Sequence, residues 1–286
     1  MTLTFFGNLS IHESVDFKMA NLPYYLLLLG ALFFSMLLID FVSSKNDLTK
    51  NNTFCIVFFA LFVAIFPEIF FNPDLIFANV FLLLAFRRLM SLRTKKDTSK
   101  KILDASIWIA VATLIYFWSV LFFMPLYIAI ILYANRSFRD YLIPVIGMIC
   151  VLMLWNVYTL LTTESFYLPH FSSQNFGFDF SAYFSSEKLA YIIPVMLIFF
   201  GALLYAHVFS KRRKKFRSRN ILLYFLTLIS FGVIIIIPQK NTAEFLFFAL
   251  PFCVTVSNFM ELSKLKILKE VVFWVLVVLS LLSIFV

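Results

Sequence analysis

Residues 66–89 read FPEIFFNPDLIFANVFLLLAFRRL, a stretch in which Glu68 and Asp74 stand between two almost purely apolar runs. Each run is long enough to cross a hydrocarbon core about 30 Å thick as a helix. The Asn72–Pro73 pair between them is typical of a turn. The stretch therefore predicts two membrane-spanning helices joined by a tight turn.

The rest of the chain has the same apolar character. Hydrophobic residues make up 62% of the 286 and charged residues only 14%, more apolar surface than a soluble domain needs. A segment exposed to lipid has to satisfy its backbone polar groups internally, so we expect these apolar runs to be helices. The predicted fold class is an all-α, polytopic transmembrane helical bundle, a single integral membrane domain over residues 1–286.

About ten spans are expected, including one pair of short helices. The pair covers 102–134, which would be about 50 Å long as one helix and so too long for one upright crossing. A bend near 116–119 divides it. The ten predicted spans are 22–43, 53–71, 74–91, 102–117, 119–134, 141–162, 189–209, 220–237, 244–262 and 268–286.

Lysine and arginine divide very unevenly between the two sets of loops that ten spans create. One set holds 21 of these residues, including the basic loop at 210–220, and the other holds Lys18, Lys188 and Lys240. The positive-inside rule places the first set in the cytoplasm and the C-terminus outside. We expect the cytoplasmic basic loops to contact anionic lipids of the bilayer, and we expect no nucleic-acid binding.

The segment 163–188 is the one substantial loop on the predicted external side. Aromatic residues alternate there with small polar ones, which is typical of a segment lying in the headgroup region. Two interpretations remain open. The loop is either an aromatic interfacial belt or a lid over a lipid-linked substrate, in which His170 and Asp179 contact a sugar or a phosphate.

The two carboxylates of the opening stretch differ in what they predict. Asp74 follows Pro73 at a helix start, where the positive end of the helix dipole stabilises a carboxylate. Glu68 lies about one turn inside the preceding span. A carboxylate at that depth either reaches outward to water or faces a wet cavity, so both a structural and a functional role stay open.

Chemistry that needs clustered ligands has little support in the sequence. The three histidines, His12, His170 and His207, stand far apart, and the three cysteines lie inside apolar runs. A multi-histidine iron site is therefore not expected, nor is a disulfide framework. No cofactor is evident.

Three stretches resemble an uncharacterised family of polytopic inner-membrane proteins from Bacteroidetes, sometimes labelled carotene monooxygenase: KNDLTKNNTF, FPEIFFNPDLIFANVFLLLAFRRLMSLR and KKILDASIWIAVATLIYFWSVLFF. The likeness is strongest over about residues 40–145. It implies a multi-pass protein of the inner membrane, with one more helix ahead of residue 1. It brings no assigned activity, and the histidine count disagrees with the monooxygenase label.

The chain is also loosely similar to membrane glycosyltransferases that use polyprenyl-phosphate sugars. That likeness rests on an acidic residue near the early spans and on the short helix pair. It implies a catalytic base or metal ligand among Glu13, Asp16, Glu68 and Asp74, with Mg²⁺ or Mn²⁺ as the possible metal. The candidate substrate-binding residues are His170, Asp179, Arg87 and Arg88.

Three classes of function follow from these observations. The first is envelope biogenesis with a reduced glycosyltransferase-like core acting on lipid-linked sugars. The second is a non-catalytic membrane scaffold or assembly subunit of a membrane complex, and the third is a small transporter or lipid flippase. Whether the protein is an enzyme is left open by the sequence.

Overall fold

The computed structural model describes residues 22–50, 53–134, 137–164, 166, 177, 179–184, 186–210, 217–238, 240–263 and 265–283. Every regular element in these ranges is helical, which confirms the all-α prediction for the described part of the chain. Its α-helices are α1 (Leu22–Lys45), α2 (Phe54–Ile65), α3 (Pro73–Ser91), α4 (Thr98–Ile115), α5 (Phe123–Tyr133), α6 (Phe138–Thr163), α7 (Ser186–Ser210), α8 (Arg217–Ile236), α9 (Ala249–Leu262) and α10 (Lys266–Leu282).

Each of these α-helices overlaps one predicted span. Among the described residues, four helical segments are by themselves long and apolar enough to cross a membrane: Leu22–Lys45, Pro73–Thr94, Phe138–Thr163 and Thr242–Leu262. The described chain is therefore helical with several segments suited to a bilayer, and ten crossings remain a prediction.

Three of the predicted spans contain a 3-10 segment next to a short α-helix. The first 3-10 segment, Pro67–Phe71, follows α2, the second, Phe117–Phe122, precedes α5, and the third, Thr242–Phe248, precedes α9. Runs of 3-10 helix longer than three or four residues are uncommon. The three segments are therefore a distinctive feature of this fold.

Proline explains the break after α2, where the sequence predicts an uninterrupted span over 53–71. Pro67 has no backbone N–H, and its ring disfavours the α conformation of the residue before it. Phe66 accordingly has φ −111° and ψ 77°, outside the helical region. The α-helix ends at Ile65 as a result, and the tighter 3-10 segment continues the span.

The 3-10 segments restore the length that the short α-helices lack. At 1.5 Å per α-helical residue and 2.0 Å per 3-10 residue, the three combined segments reach about 28 to 35 Å. A hydrocarbon core is about 30 Å thick. Each combined segment is thus as long as one membrane crossing.

The three 3-10 segments meet at one end of the bundle, which we call the turn end. The ring of Phe66 stacks on that of Phe245 with centroids 4.9 Å apart. Phe247 contacts Tyr116 at 5.6 Å and Phe122 at 5.7 Å between centroids. Aromatic side chains therefore pack the first and second segments against the third.

Ion pairs and hydrogen bonds mark the opposite end of the bundle, which we call the basic end. Arg88 pairs with Asp104 at 3.1 Å, which joins α3 to α4. The backbone N–H of Lys50 donates to both carboxylate oxygens of Glu261, at 2.8 and 3.0 Å. The ion pairs of the described residues thus lie at the two ends of the bundle, and the buried side chains between them are mostly apolar.

Helix α6 approaches α4 closely through a glycine. A Cβ atom at Gly147 would lie 1.9 Å from the Oγ of Ser106 and 2.8 Å from its Cβ. The α6 side chains that are buried form one stripe: Asp140, Pro144, Gly147 and Val151. The contact with α4 therefore depends on the absence of a side chain at residue 147.

We predict that Gly147→Ala destabilises the bundle by about 1–3 kcal/mol, the usual range for overpacking. Thermal unfolding of the purified protein in detergent measures the effect. Gly201→Ala is the matched control, because a Cβ there meets nothing within 4 Å and alanine favours a helix more than glycine does. Equal melting temperatures for the two variants would contradict the close approach.

Candidate functional site

Glu68 lies in the first 3-10 segment and binds two distant parts of the chain. Its Oε1 accepts a hydrogen bond from the Nζ of Lys188 at 2.6 Å. Its Oε2 accepts from the backbone N–H of Thr242 at 2.6 Å and from the Thr242 hydroxyl at 2.7 Å. The carboxylate therefore joins the turn between α2 and α3 to the start of α7 and to the third 3-10 segment.

The Glu68–Lys188 pair is partly shielded from water. The side chains are 29% and 27% exposed, respectively. A carboxylate has about four lone-pair positions, and three of those on Glu68 are occupied by these bonds. Glu68 is thus held in one orientation by its own protein.

Glu244 sits beside this pair and is almost fully enclosed, with 2% exposure. It forms a capping box with Asn241: the Asn241 N–H donates to both Glu244 oxygens at 3.0 Å, and the Asn241 side chain accepts from the N–H of Ala243 at 2.9 Å. A capping box satisfies backbone donors at a helix start that would otherwise be unpaired. The buried carboxylate thereby stabilises the start of the third 3-10 segment.

Tyr183 connects the external segment of the sequence prediction to this buried carboxylate. Its hydroxyl donates to Oε2 of Glu244 at 2.9 Å, and its ring packs on Phe245 with centroids 5.8 Å apart. The backbone N–H of Gly177 donates to the carbonyl of Ile236 at 3.2 Å. Gly177 and Tyr183 of the 163–188 segment therefore contact the turn end.

Lys240 lies just after the C-terminal end of α8, and its side chain is buried, at 9% exposure. Its Nζ donates to three carbonyl oxygens at 2.8 to 3.1 Å and lies 4.4 Å from the centre of the Phe180 ring; the carbonyls belong to Ile234, Ile235 and Ile237. A cation at a helix C-terminus interacts favourably with the helix dipole. Burial lowers the pKa of Lys240, and the nearby carboxylates of Glu244 and Asp179 oppose that shift.

Asp179 is an exposed residue of the same 163–188 segment. Its Oδ1 accepts a hydrogen bond from the backbone N–H of Ser181 at 2.9 Å, and this bond holds the pKa of Asp179 below its ordinary value. The bond lies at the start of the short 3-10 helix Ser181–Tyr183. Asp179 thus stabilises the turn that places Tyr183 next to Glu244.

The turn end therefore contains a polar network made of the Glu68–Lys188 pair with Thr242 and the Asn241–Glu244 capping box with Tyr183; Lys240 and Asp179 lie beside it. Among the residues that the structure describes, no group of three His, Cys, Asp or Glu side chains is placed to hold a metal ion. Both carboxylates are occupied by donors from the protein. The arrangement is suited to fastening chain segments together.

Comparison with protein families places the chain in a wider group. The model of the family of unknown function DUF6427 matches residues 6–286. The chain belongs to this family. The match covers nearly the whole chain and agrees with the resemblance to an uncharacterised family, and DUF6427 carries no activity of its own to assign. The comparison with curated proteins found no match, and neither did the comparison with solved structures.

In this DUF6427 chain the predicted site residues fall into three groups. Glu68 and Asp179 both belong to the turn end. Asp74 also lies there, exposed in the first turn of α3, but is not part of the network described above. Arg87 and Arg88 lie about 20 Å further along α3, at the basic end, so the structure does not bring them together with Glu68. Asp16, Glu13 and His170 lie outside the described residues.

Sequence reasoning missed the partners that surround Glu68. Lys188 is 120 positions away from Glu68 and Thr242 is 174 positions away, and neither shows a local pattern. Glu244 is the first residue of the predicted span 244–262, which indicates no partner for it. The NTAE run at 241–244 has the spacing of a capping box and is a local signal that could have pointed to this part of the site.

We predict that Glu68 and Lys188 are energetically coupled. Glu68→Gln and Lys188→Gln should each destabilise the protein, because each leaves a partly buried charge without its partner. The double variant should cost less than the sum of the two, with a coupling of about 1–2 kcal/mol. Thermal unfolding of the four proteins in detergent completes the cycle.

An exposed ion pair supplies the control for that cycle. Lys100 and Asp97 lie 3.5 Å apart with side chains 82% and 68% exposed. The cycle with Lys100→Gln and Asp97→Asn should give a coupling near zero, at most about 0.5 kcal/mol. Equal couplings in the two cycles would mean that Glu68 and Lys188 gain nothing from their partial burial.

We further predict that Tyr183→Phe destabilises the turn end by about 1–2 kcal/mol, because it removes a hydrogen bond to a buried carboxylate. Limited proteolysis between residues 163 and 188 should become faster at the same time. Tyr127→Phe is the control, since Tyr127 is partly buried in α5 and its hydroxyl has no hydrogen bond to a described residue. Similar effects of the two substitutions would count against the fastening role of Tyr183.

Proposed function

We propose that this protein is a non-catalytic integral membrane subunit, a scaffold for assembly of a larger complex in the bacterial inner membrane. The observation that carries the proposal is the occupancy of Glu68, whose two oxygens accept three hydrogen bonds from Lys188 and Thr242. A general base has to offer a lone pair to its substrate. A carboxylate committed to its own protein is better suited to fixing the shape of a surface.

Glu244 supports the same proposal. It is 2% exposed and accepts hydrogen bonds from Asn241 and Tyr183, so a substrate has no access to its oxygens in this conformation. An ionisable residue inside a membrane span is often functional, and here its partners are backbone and tyrosine donors of the turn end. These contacts fix the conformation of the turn end, which by the positive-inside rule faces away from the cytoplasm.

Complementation of a deletion strain distinguishes fastening from catalysis. The two plasmids carry the wild-type gene and the Glu68→Gln/Lys188→Gln double variant, adjusted to equal abundance in the membrane. The double variant removes both charges together, so no unpaired charge is left at the turn end. We expect full rescue and an unchanged set of co-purifying membrane proteins, because two neutral amides can still hydrogen-bond to each other and to Thr242 at the turn end, while the candidate base Glu68 is gone.

A second candidate function is a reduced glycosyltransferase-like core that acts on lipid-linked sugars in envelope biogenesis. The three 3-10 segments favour it, because irregular backbone at membrane depth is tolerated where it is buried in protein or lines a cavity. Glu68 would then act as the base, with Asp179 at the same end of the bundle as a substrate-binding candidate. Loss of one defined envelope glycan in the double variant, at normal abundance, would support this candidate and overturn the scaffold.

The third class, a transporter or lipid flippase, differs in requiring a continuous wet path. Single cysteines placed along α3 and α9 and treated with aqueous thiol reagents from each side test for that path. Labelling that is confined to the two ends of the helices agrees with the scaffold. Labelling throughout their length from both sides would replace it with a transporter.

A further inference from the structure

We propose that the basic end contains a specific binding site for one anionic phospholipid, formed by Arg87 of α3 and by Phe41 and Lys45 of α1. The guanidinium carbon of Arg87 lies 5.0 Å from the centre of the Phe41 ring, and the Nζ of Lys45 lies 4.9 Å from the same centre. Two helices thus bring two cations to one aromatic side chain. The two charges are at most about 10 Å apart, since each lies within 5.0 Å of one point.

Arg87 and Lys45 have no acidic partner among the described residues, unlike Arg88, Arg93 and Lys100. Arg88 pairs with Asp104, Arg93 with Asp47 and Lys100 with Asp97. Lys101 donates to the carbonyl of Ser91 and to the hydroxyl of Thr94. Arg87 and Lys45 instead share a ring, which attracts cations without neutralising them. Positive charge is therefore concentrated at this point of the basic end.

Two like charges at this separation repel each other, and a bound anion offsets that cost. An arginine donates two parallel N–H hydrogen bonds to a phosphate, whereas a lysine acts as a compact point charge beside it. A phosphodiester of a lipid headgroup has the charge and the oxygen acceptors to bridge the two. The site is thus complementary to an anionic phosphate.

The surface of α1 next to the cations identifies the ligand as a lipid. The exposed side chains of α1 that lead to Lys45 are large and apolar: Leu26, Leu27, Phe33, Phe34, Leu37 and Phe41. Phe41 itself is 40% exposed. An acyl chain can lie along this stripe while its headgroup phosphate meets Arg87 and Lys45. Free phosphate gains nothing from the apolar stripe, so we commit to a bilayer lipid.

This site is distinct from general attraction of the basic loops to anionic lipid. Cations in loops attract anionic lipid through the electrostatic potential that they create together at the membrane surface. That attraction weakens as the salt concentration rises. Arg87 and Lys45 are held in place by helices and by a ring. Binding at the site should therefore be selective for one lipid molecule and depend on these particular residues.

Native mass spectrometry of the purified full chain tests the proposal, with phosphatidylglycerol and phosphatidylcholine as the probes. We expect wild-type protein to retain one phosphatidylglycerol preferentially, and we expect Arg87→Gln/Lys45→Gln to weaken that binding about tenfold, equivalent to the loss of about 1.4 kcal/mol. Phe41→Leu should also weaken it, since it keeps an apolar side chain but removes the ring. Excess inorganic phosphate should displace little of the lipid.

Lys95→Gln/Lys96→Gln is the matched control, because it removes the same net charge from exposed residues at the same end. It should change phosphatidylglycerol binding less than twofold. An equal loss in the control, or equal retention of the two lipids by wild-type protein, would overturn the site and leave only nonspecific attraction. Displacement by inorganic phosphate would overturn the choice of a lipid as the ligand. An unchanged melting temperature for each variant excludes misfolding as the cause of any loss.

Discussion

The ion pair of Glu68 with Lys188, together with the two Thr242 donors, is the contact on which the turn end depends. It joins three parts of the chain that are far apart in sequence, at distances of 2.6 to 2.7 Å. A single carboxylate can do this because it has four acceptor positions in one plane. The first and third 3-10 segments are held in register by this contact and by the stacked rings of Phe66 and Phe245.

The polar network supplies hydrogen-bond partners that the 3-10 segments need where they interrupt the α-helices. A membrane span has to satisfy its own backbone hydrogen bonds, and a break in an α-helix leaves donors and acceptors that need other partners. At the third segment the partners come from the Asn241–Glu244 capping box, and the first segment supplies the carboxylate that receives the N–H of Thr242. The buried charges of the turn end are therefore a consequence of how the helices are interrupted.

Much of the fold could be predicted, and rather less of the site. Each observed α-helix overlaps a predicted span, because apolar runs and basic loops are properties of consecutive residues. Asp74 was correctly expected at the start of a helix, since that depends only on Pro73 and the residues that follow. Glu68 was expected either to reach outward or to face a wet cavity. The structure adds a third possibility, a distant lysine partner, which depends on how α7 packs.

The sequence by itself determined that this chain is helical, that its apolar segments have the length and composition for a bilayer, and that most of its cations lie in short segments between the apolar runs. These properties follow from residue types and their order, so one chain is enough to read them. Only the tertiary structure decided that Glu68 meets Lys188, that Tyr183 meets Glu244, and that Arg87 and Lys45 share one ring. Such pairings are set by helix packing, which brings together residues whose separation in sequence carries no signal.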